Sequence, residues 1–240
     1  MNGNGRAIMT AILSNLQATR AAIEQAVKSA HRNITEVHLL AVSKTFPASA
    51  VREAYEAGQT AFGENYVQEA LDKIHALSDL PLEWHFIGPL QSNKTRSIAE
   101  NFAWVHSVDR LKIAERLSAQ RPAHLPALNI CLQVNVSREE SKSGVALEEA
   151  GRLAREVATL PRLKLRGLMS IPSPASDEAQ QRVPFSQMRE LLEDLNSQGM
   201  NLDTLSMGMS LDYRAAILEG ATIVRIGTAI FGNRDYGERK

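Results

Sequence analysis

Apolar positions recur along the chain with two different periods. Over residues 7–30 they fall at Ile8, Ile12, Leu16, Ile23 and Val27, with alanines filling the gaps. That spacing gathers them near one face of a helix. The pattern then changes. Eight short apolar, β-rich runs follow, at 39–43, 60–63, 84–87, 104–107, 128–136, 163–169, 204–207 and 222–226. Each reads as a strand. Helical patterns separate them at 48–57, 67–77, 111–119, 147–160, 184–198 and 213–219. Alternation of this kind predicts parallel strands joined by right-handed crossovers. Eight such units within 240 residues predict an α/β fold, a single (β/α)8 barrel of TIM type with an extra N-terminal helix. An open doubly wound sheet is the alternative, and the eighth strand decides between the two. No composition shift, repeat or low-complexity tract divides the chain, so residues 1–240 are expected to form one domain. The one proline-rich stretch, Ser170-Ile171-Pro172-Ser173-Pro174, follows a strand and reads as a strand-to-helix loop.

Composition narrows the function classes. Lys and Arg number 27 and Asp and Glu also number 27. This balance gives no support to a nucleic-acid binder held by phosphate contacts, or to a polybasic membrane-surface protein. Cys131 is the only cysteine, so neither an internal disulfide nor a thiolate metal cluster is available. The six histidines show no HxxxH or HExxH spacing. The strand ends carry no cluster of His and carboxylates suited to a metal, which argues against a metal-dependent hydrolase. No apolar run reaches the roughly 18 residues of a membrane span. The N-terminal residues lack the blocks of a signal peptide, so a cytoplasmic location is expected.

In a barrel, chemistry gathers at the carboxyl ends of the strands. The first strand ends in Ser43-Lys44-Thr45. A lysine at the rim of an apolar interior is disfavoured as an ammonium, and a lysine that can shed its proton can condense with an aldehyde. A solvated loop lysine is the plainer reading. The second strand ends in Gly63-Glu64-Asn65, where Asn65 offers both a donor and an acceptor; a helix cap would use the same residue. His85, among the aromatics of the third strand, reads as structural. The seventh strand ends in Ser206-Met207-Gly208-Met209-Ser210 and the eighth runs Arg225-Ile226-Gly227-Thr228. Barrels often hold phosphate with the loops after these two strands. Glycines there allow close approach, and Ser210 and Thr228 supply hydroxyls. Alternation along the last strand turns Ile223, Arg225 and Gly227 inward, and an inward arginine needs a partner.

Taken together, several segments resemble one family. They are Ala41-Val42-Ser43-Lys44, Phe62-Gly63-Glu64-Asn65-Tyr66, Trp84-His85-Phe86-Ile87-Gly88, Lys142-Ser143-Gly144, Gly167-Leu168-Met169, Ser206-Met207-Gly208-Met209-Ser210 and Arg225-Ile226-Gly227-Thr228-Ala229-Ile230-Phe231-Gly232. On these the chain resembles the pyridoxal-phosphate homeostasis protein family, the proteins like the alanine racemase N-terminal domain. The resemblance implies one barrel holding pyridoxal 5′-phosphate. It implies Lys44 as the Schiff-base lysine, and Gly227, Thr228 and Ser210 as the phosphate cradle. It implies Arg225 as the arginine facing the pyridine nitrogen, Asn65 beside the ring, and Ser206 as a weaker member of the set. Lys142 is a candidate second site.

The family also implies a role. An arginine stays charged and cannot accept a proton from the ring nitrogen, so the ring is a weakened electron sink. Alanine racemases draw a tyrosine for the second face from a further β domain of the partner subunit. The chain ends at Lys240, soon after the last strand, and that domain is not expected. The expected function is therefore buffering or delivery of pyridoxal phosphate, with apo pyridoxal-phosphate enzymes as partners, a monomeric state and no efficient catalysis. The alternative is a small amino-acid racemase working through Lys44.

Overall fold

The alternating segments form strands that close into a cylinder. The structure, a computed structural model, describes residues 3–137 and 143–233. The strands are β1 (His38–Val42), β2 (Ala61–Glu64), β3 (Glu83–Phe86), β4 (Trp104–Val108), β5 (Leu128–Asn135), β6 (Val145–Ala146), β7 (Leu163–Met169), β8 (Thr204–Ser206) and β9 (Ile223–Ile226). They pair in the order β4-β3-β2-β1-β9-β8-β7-β5-β6, and β4 also pairs with β5. That last pairing closes eight of them into a parallel barrel. The two-residue β6 extends the edge of β5 outside the ring.

Helices α1 (Gly3–Ser29), α2 (Ala48–Glu56), α3 (Val67–Ala76), α4 (Thr95–Asn101), α5 (Leu111–Gln120), α6 (Leu147–Ala158), α7 (Glu178–Ser197), α8 (Tyr213–Leu218) and α9 (Thr228–Phe231) surround it. The N-terminal helix α1 buries Ile12, Leu16, Ile23, Ala26 and Val27, and Asn15 donates to the carbonyl of Ile230 at 3.1 Å. Among the described residues no helix is long and apolar enough to cross a membrane.

Four elements differ from the sequence expectation, among them the two-residue β6 and the four-residue α9, which no run or period announced. Helix α4 was not anticipated. It has seven residues and buries only Thr95, Ile98 and Ala99, too few turns to show a period. Helix α7 begins at Glu178, not at Pro184. Asp177 accepts from the Gln180 N–H at 2.8 Å, and this cap starts the helix ahead of Pro184, which lies inside it.

The strands separate two apolar layers. Outward residues such as Ala41, Phe62, Phe86, Val105, Ile130, Leu168, Val224 and Ile226 pack in one large core with the helices. Inward residues form two small clusters, Leu40, Val42, Ile87 and Ile223, and Trp104, Cys131 and Met169. The rest of the interior is polar: His85, His106, Ser206 and Arg225 are all buried there.

Candidate functional site

The carboxyl ends of the strands surround a cavity of about 340 Å³, and its lining includes Lys44, Asn65, Ser210, Arg225, Gly227 and Thr228. Six residues singled out from distant parts of the sequence thus meet at one place. Strand register brings them there. Leu40 lies opposite Arg225 and Ala41 opposite Ile226, so the ends of β1 and β9, with Lys44 and Gly227, are neighbours. Val42 pairs with Gly63, which sets Asn65 on the other side of Lys44. Ser206 is fully buried and sits one layer lower, under Arg225. Lys142 lies outside the described residues.

The turn carrying Lys44 is held from both sides. The Phe46 N–H donates to the Ser43 carbonyl at 3.1 Å, and Thr45 has φ of 70°. A β-branched residue in the left-handed region is strained, so neighbouring contacts must impose it. The Ser43 hydroxyl donates to Glu64 Oε1 at 2.6 Å. The buried Lys73 Nζ donates to the Ser43 carbonyl at 2.8 Å, to Glu64 Oε1 at 2.7 Å and to Glu69 Oε1 at 2.6 Å. Glu69 Oε1 also accepts from the Thr45 N–H at 2.6 Å. Burial pushes the Glu64 carboxyl above its ordinary range, against the pull of Lys73 and Ser43.

Two glycines shape the other walls. A β-carbon at Gly88 would run into the backbone carbonyl of Asn65, so only glycine lets β2 and β3 bring Asn65 to the cavity. Gly208 has φ of 92°, and a β-carbon there would lie 2.6 Å from that of Ala216. It turns the chain sharply into the loop of Met209 and Ser210. Asp212 Oδ1 accepts from the Met209 N–H at 2.6 Å and fixes that loop.

Arg225 closes the floor. Its Nη1 donates to the Ser206 carbonyl at 2.6 Å and to Ser206 Oγ at 2.8 Å, and its Nη2 donates to the Ser170 carbonyl at 2.9 Å. Among the described residues no carboxylate lies within ion-pairing distance of it. Burial lowers its pKa to about 10, with the nearby Asp212 opposing. Even so it stays a cation at neutral pH. Beneath it, His106 Nδ1 meets Ser206 Oγ at 2.8 Å, and His106 Nε2 meets His85 Nδ1 at 2.9 Å. Burial pushes both imidazoles below their ordinary value, His106 well below.

Sequence reasoning did not single out His106, Lys73 or Glu64 for the site. His106 follows Trp104 at strand spacing, which was the available hint that both face inward. Lys73 falls inside the helical pattern at 67–77, where nothing local sets it apart. Among the described residues no group of His, Cys, Asp and Glu could hold a metal ion.

The family model for the alanine racemase N-terminal domain matches residues 15–235. The pyridoxal phosphate homeostasis protein of Pseudomonas aeruginosa is 63% identical over 229 residues, covering 95% of this chain and 98% of that one. The chain belongs to this family. Its relative of the same name in Escherichia coli K12 is 54% identical over 234 residues, covering 96% of this chain and all of that one. Among solved structures, PipY of Synechococcus elongatus with PLP bound is 39% identical with a TM-score of 0.81, covering 92% of this chain and all of that one. The alanine racemase of Corynebacterium glutamicum shares only the fold, at 15% identity and a TM-score of 0.71, over 97% of this chain and 63% of that one.

Proposed function

We propose that the chain binds pyridoxal 5′-phosphate in the carboxyl-end cavity and serves its homeostasis, buffering or delivering it without efficient catalysis. The observation that carries this reading is the meeting of Lys44, Arg225 and the Gly227-Thr228 turn on one cavity. The residues fit the group. The cavity has the volume of a small-ligand site. Asn65 Oδ1 is buried there without a protein partner, and a buried acceptor of that kind favours a ligand donor. A β-carbon at Gly227 would come within 3.0 Å of the Val42 carbonyl, so the backbone itself forms that wall.

When bound, pyridoxal phosphate supplies an aldehyde for an amine and a ring that can act as an electron sink. Lys44, which lines the cavity, would be the amine that holds the aldehyde. Gly227, Thr228 and Ser210 offer N–H and hydroxyl groups to the phosphate. Arg225 would face the pyridine nitrogen as a cation at neutral pH and would leave it unprotonated. That weakens the sink and suits retention over turnover. The shared name of the relatives supports homeostasis in the same direction. Ile171, Met209 and Leu211 are exposed apolar residues at the mouth of the cavity. Such a rim suits transient contact with an apo-enzyme receiving the cofactor.

The test is the visible spectrum of the purified protein with and without borohydride. Reduction is expected to fix one cofactor on the peptide containing Lys44, and Lys44→Ala to lose it. Fixation unchanged in Lys44→Ala would move the site to another lysine. Turnover of about 1 s⁻¹ or more in racemising any common L-amino acid would replace the carrier reading with the racemase one.

A further inference from the structure

The interior of a parallel barrel is ordinarily packed with branched apolar side chains. Here polar side chains from four strands cross it in single file. Arg225 Nη1 lies 2.8 Å from Ser206 Oγ, Ser206 Oγ 2.8 Å from His106 Nδ1, His106 Nε2 2.9 Å from His85 Nδ1, and His85 Nε2 2.9 Å from Glu83 Oε1. Arg225, Ser206, His106 and His85 are each 4% exposed or less. The ends are different places. Arg225 lines the cavity at the carboxyl ends of the strands, and Glu83 lines a separate cavity at their amino ends.

The two ends determine every proton between them. A carboxylate only accepts, and the hydrogen bond from His85 holds Glu83 below its ordinary carboxylate range. So His85 Nε2 carries the proton and His85 Nδ1, in a neutral ring, accepts. His106 Nε2 must then donate, and its Nδ1 must accept. Ser206 Oγ accepts from Arg225 and gives its own proton to His106. Every donor points the same way, from the Arg225 cation to the Glu83 anion. Such a chain is cooperative, because each bond polarises the next.

We propose that this file couples the two ends of the barrel, with Glu83, His85 and His106 as positioning residues that hold Ser206 and Arg225 for the cofactor. The proposal rests on reading the upper cavity as the pyridoxal phosphate site. Arg225 has five N–H donors, and its bonds to Ser206 and Ser170 occupy at most three. The orientation of the others depends on how firmly Ser206 Oγ is held, and His106 holds it. By thermodynamic reciprocity, a ligand that engages Arg225 must in turn perturb the imidazoles below.

The experiment combines 15N spectroscopy of the imidazoles with titration of pyridoxal phosphate onto the apo-protein. In the wild type both rings are expected to be neutral with the proton on Nε2, and both Nδ1 resonances to shift when pyridoxal phosphate binds. Glu83→Gln removes the anionic end at an exposed rim, and His106→Phe interrupts the file. Each is expected to weaken pyridoxal phosphate binding about 2- to 30-fold, the range for substitutions along a coupling network. Glu83→Gln keeps the test open if His106→Phe does not fold. A protonated ring, an Nδ1–H tautomer, or unchanged affinity in Glu83→Gln would overturn the proposal. Absence of binding by the wild type would overturn the cofactor reading as well, and the imidazole spectra of the apo-protein separate that failure from a failure of the file.

Discussion

The two ends of the barrel make an instructive pair. The amino-end cavity, at about 910 Å³, is far larger than the carboxyl-end one at about 340 Å³. Its charges, however, are consumed by the protein. Arg20 donates to the carbonyls of Ala57 and Gly58 at 3.0 and 2.8 Å. Arg32 donates to those of Ile217 and Ala221 at 3.0 and 2.8 Å. Arg166 forks onto Asp203 and lies 4.6 Å over the Trp104 ring. These contacts tie helices and loops to the base of the barrel. The smaller cavity is lined by Lys44 beside the strained Thr45, by a buried cation that has no carboxylate within ion-pairing distance among the described residues, and by Asn65, whose buried oxygen has no hydrogen-bond partner among them. Hydrogen-bonding capacity left unused, not volume, is what distinguishes the end proposed for the cofactor.

Removing the anchor behind Lys44 should hurt most. Lys73→Met leaves the Glu64 carboxylate buried without its cation, which costs about 3–5 kcal/mol. Urea unfolding reads this directly; a loss below 1 kcal/mol would mean that the turn holds itself. The next effect lies in binding. Thr228→Ala should weaken pyridoxal phosphate by about 1.5–3 kcal/mol, the worth of one hydrogen bond to a charged group, with the melting temperature unchanged. Pyridoxal lacking the phosphate should not feel the substitution, and an equal loss for both ligands would remove Thr228 from the phosphate cradle.

The interior between the ends should show itself in pH. Burial holds both His85 and His106 below the ordinary value of 6.5, His106 further pressed by His85 and Arg225. The unfolded chain binds their protons near 6.5 while the folded chain does not. Stability is therefore full above 6.5 and falls as pH drops through that value toward the depressed folded ones. The slope is up to about 1.4 kcal/mol per pH unit for each ring. His106→Phe should flatten the profile by about one ring's share, and parallel profiles for the two proteins would show His106 protonated in the fold. The smallest effect belongs to the lower end. Arg166→Ala breaks a partly exposed pair worth about 0.2–1 kcal/mol and should leave pyridoxal phosphate affinity untouched. A large loss of affinity there would mean that the lower end reaches the upper cavity by a route other than the file that starts at Glu83.

Much of this was written in local pattern. Short apolar, β-rich runs located all eight barrel strands, because strands of a parallel sheet are covered on both faces. The glycines of Gly227 and Gly208 and the lysine of Ser43-Lys44-Thr45 could be read from their places after strands. The seven-residue α4 could not, and the start of α7 was masked by Pro184, which looked like a first helical residue. His85 was legible only as a buried structural histidine, and its partner was invisible.

The chain's own order of apolar and polar residues thus determined the element sequence, the parallel architecture and the candidates at the strand ends, since each is a matter of neighbours a few residues apart. Only the tertiary structure decided which inward side chains touch. His106 and Ser206 are 100 residues apart in sequence, and they meet because β4 pairs with β5 and closes the sheet. Closure with its register and stagger sets which strands face one another across the barrel. No local period carries that information.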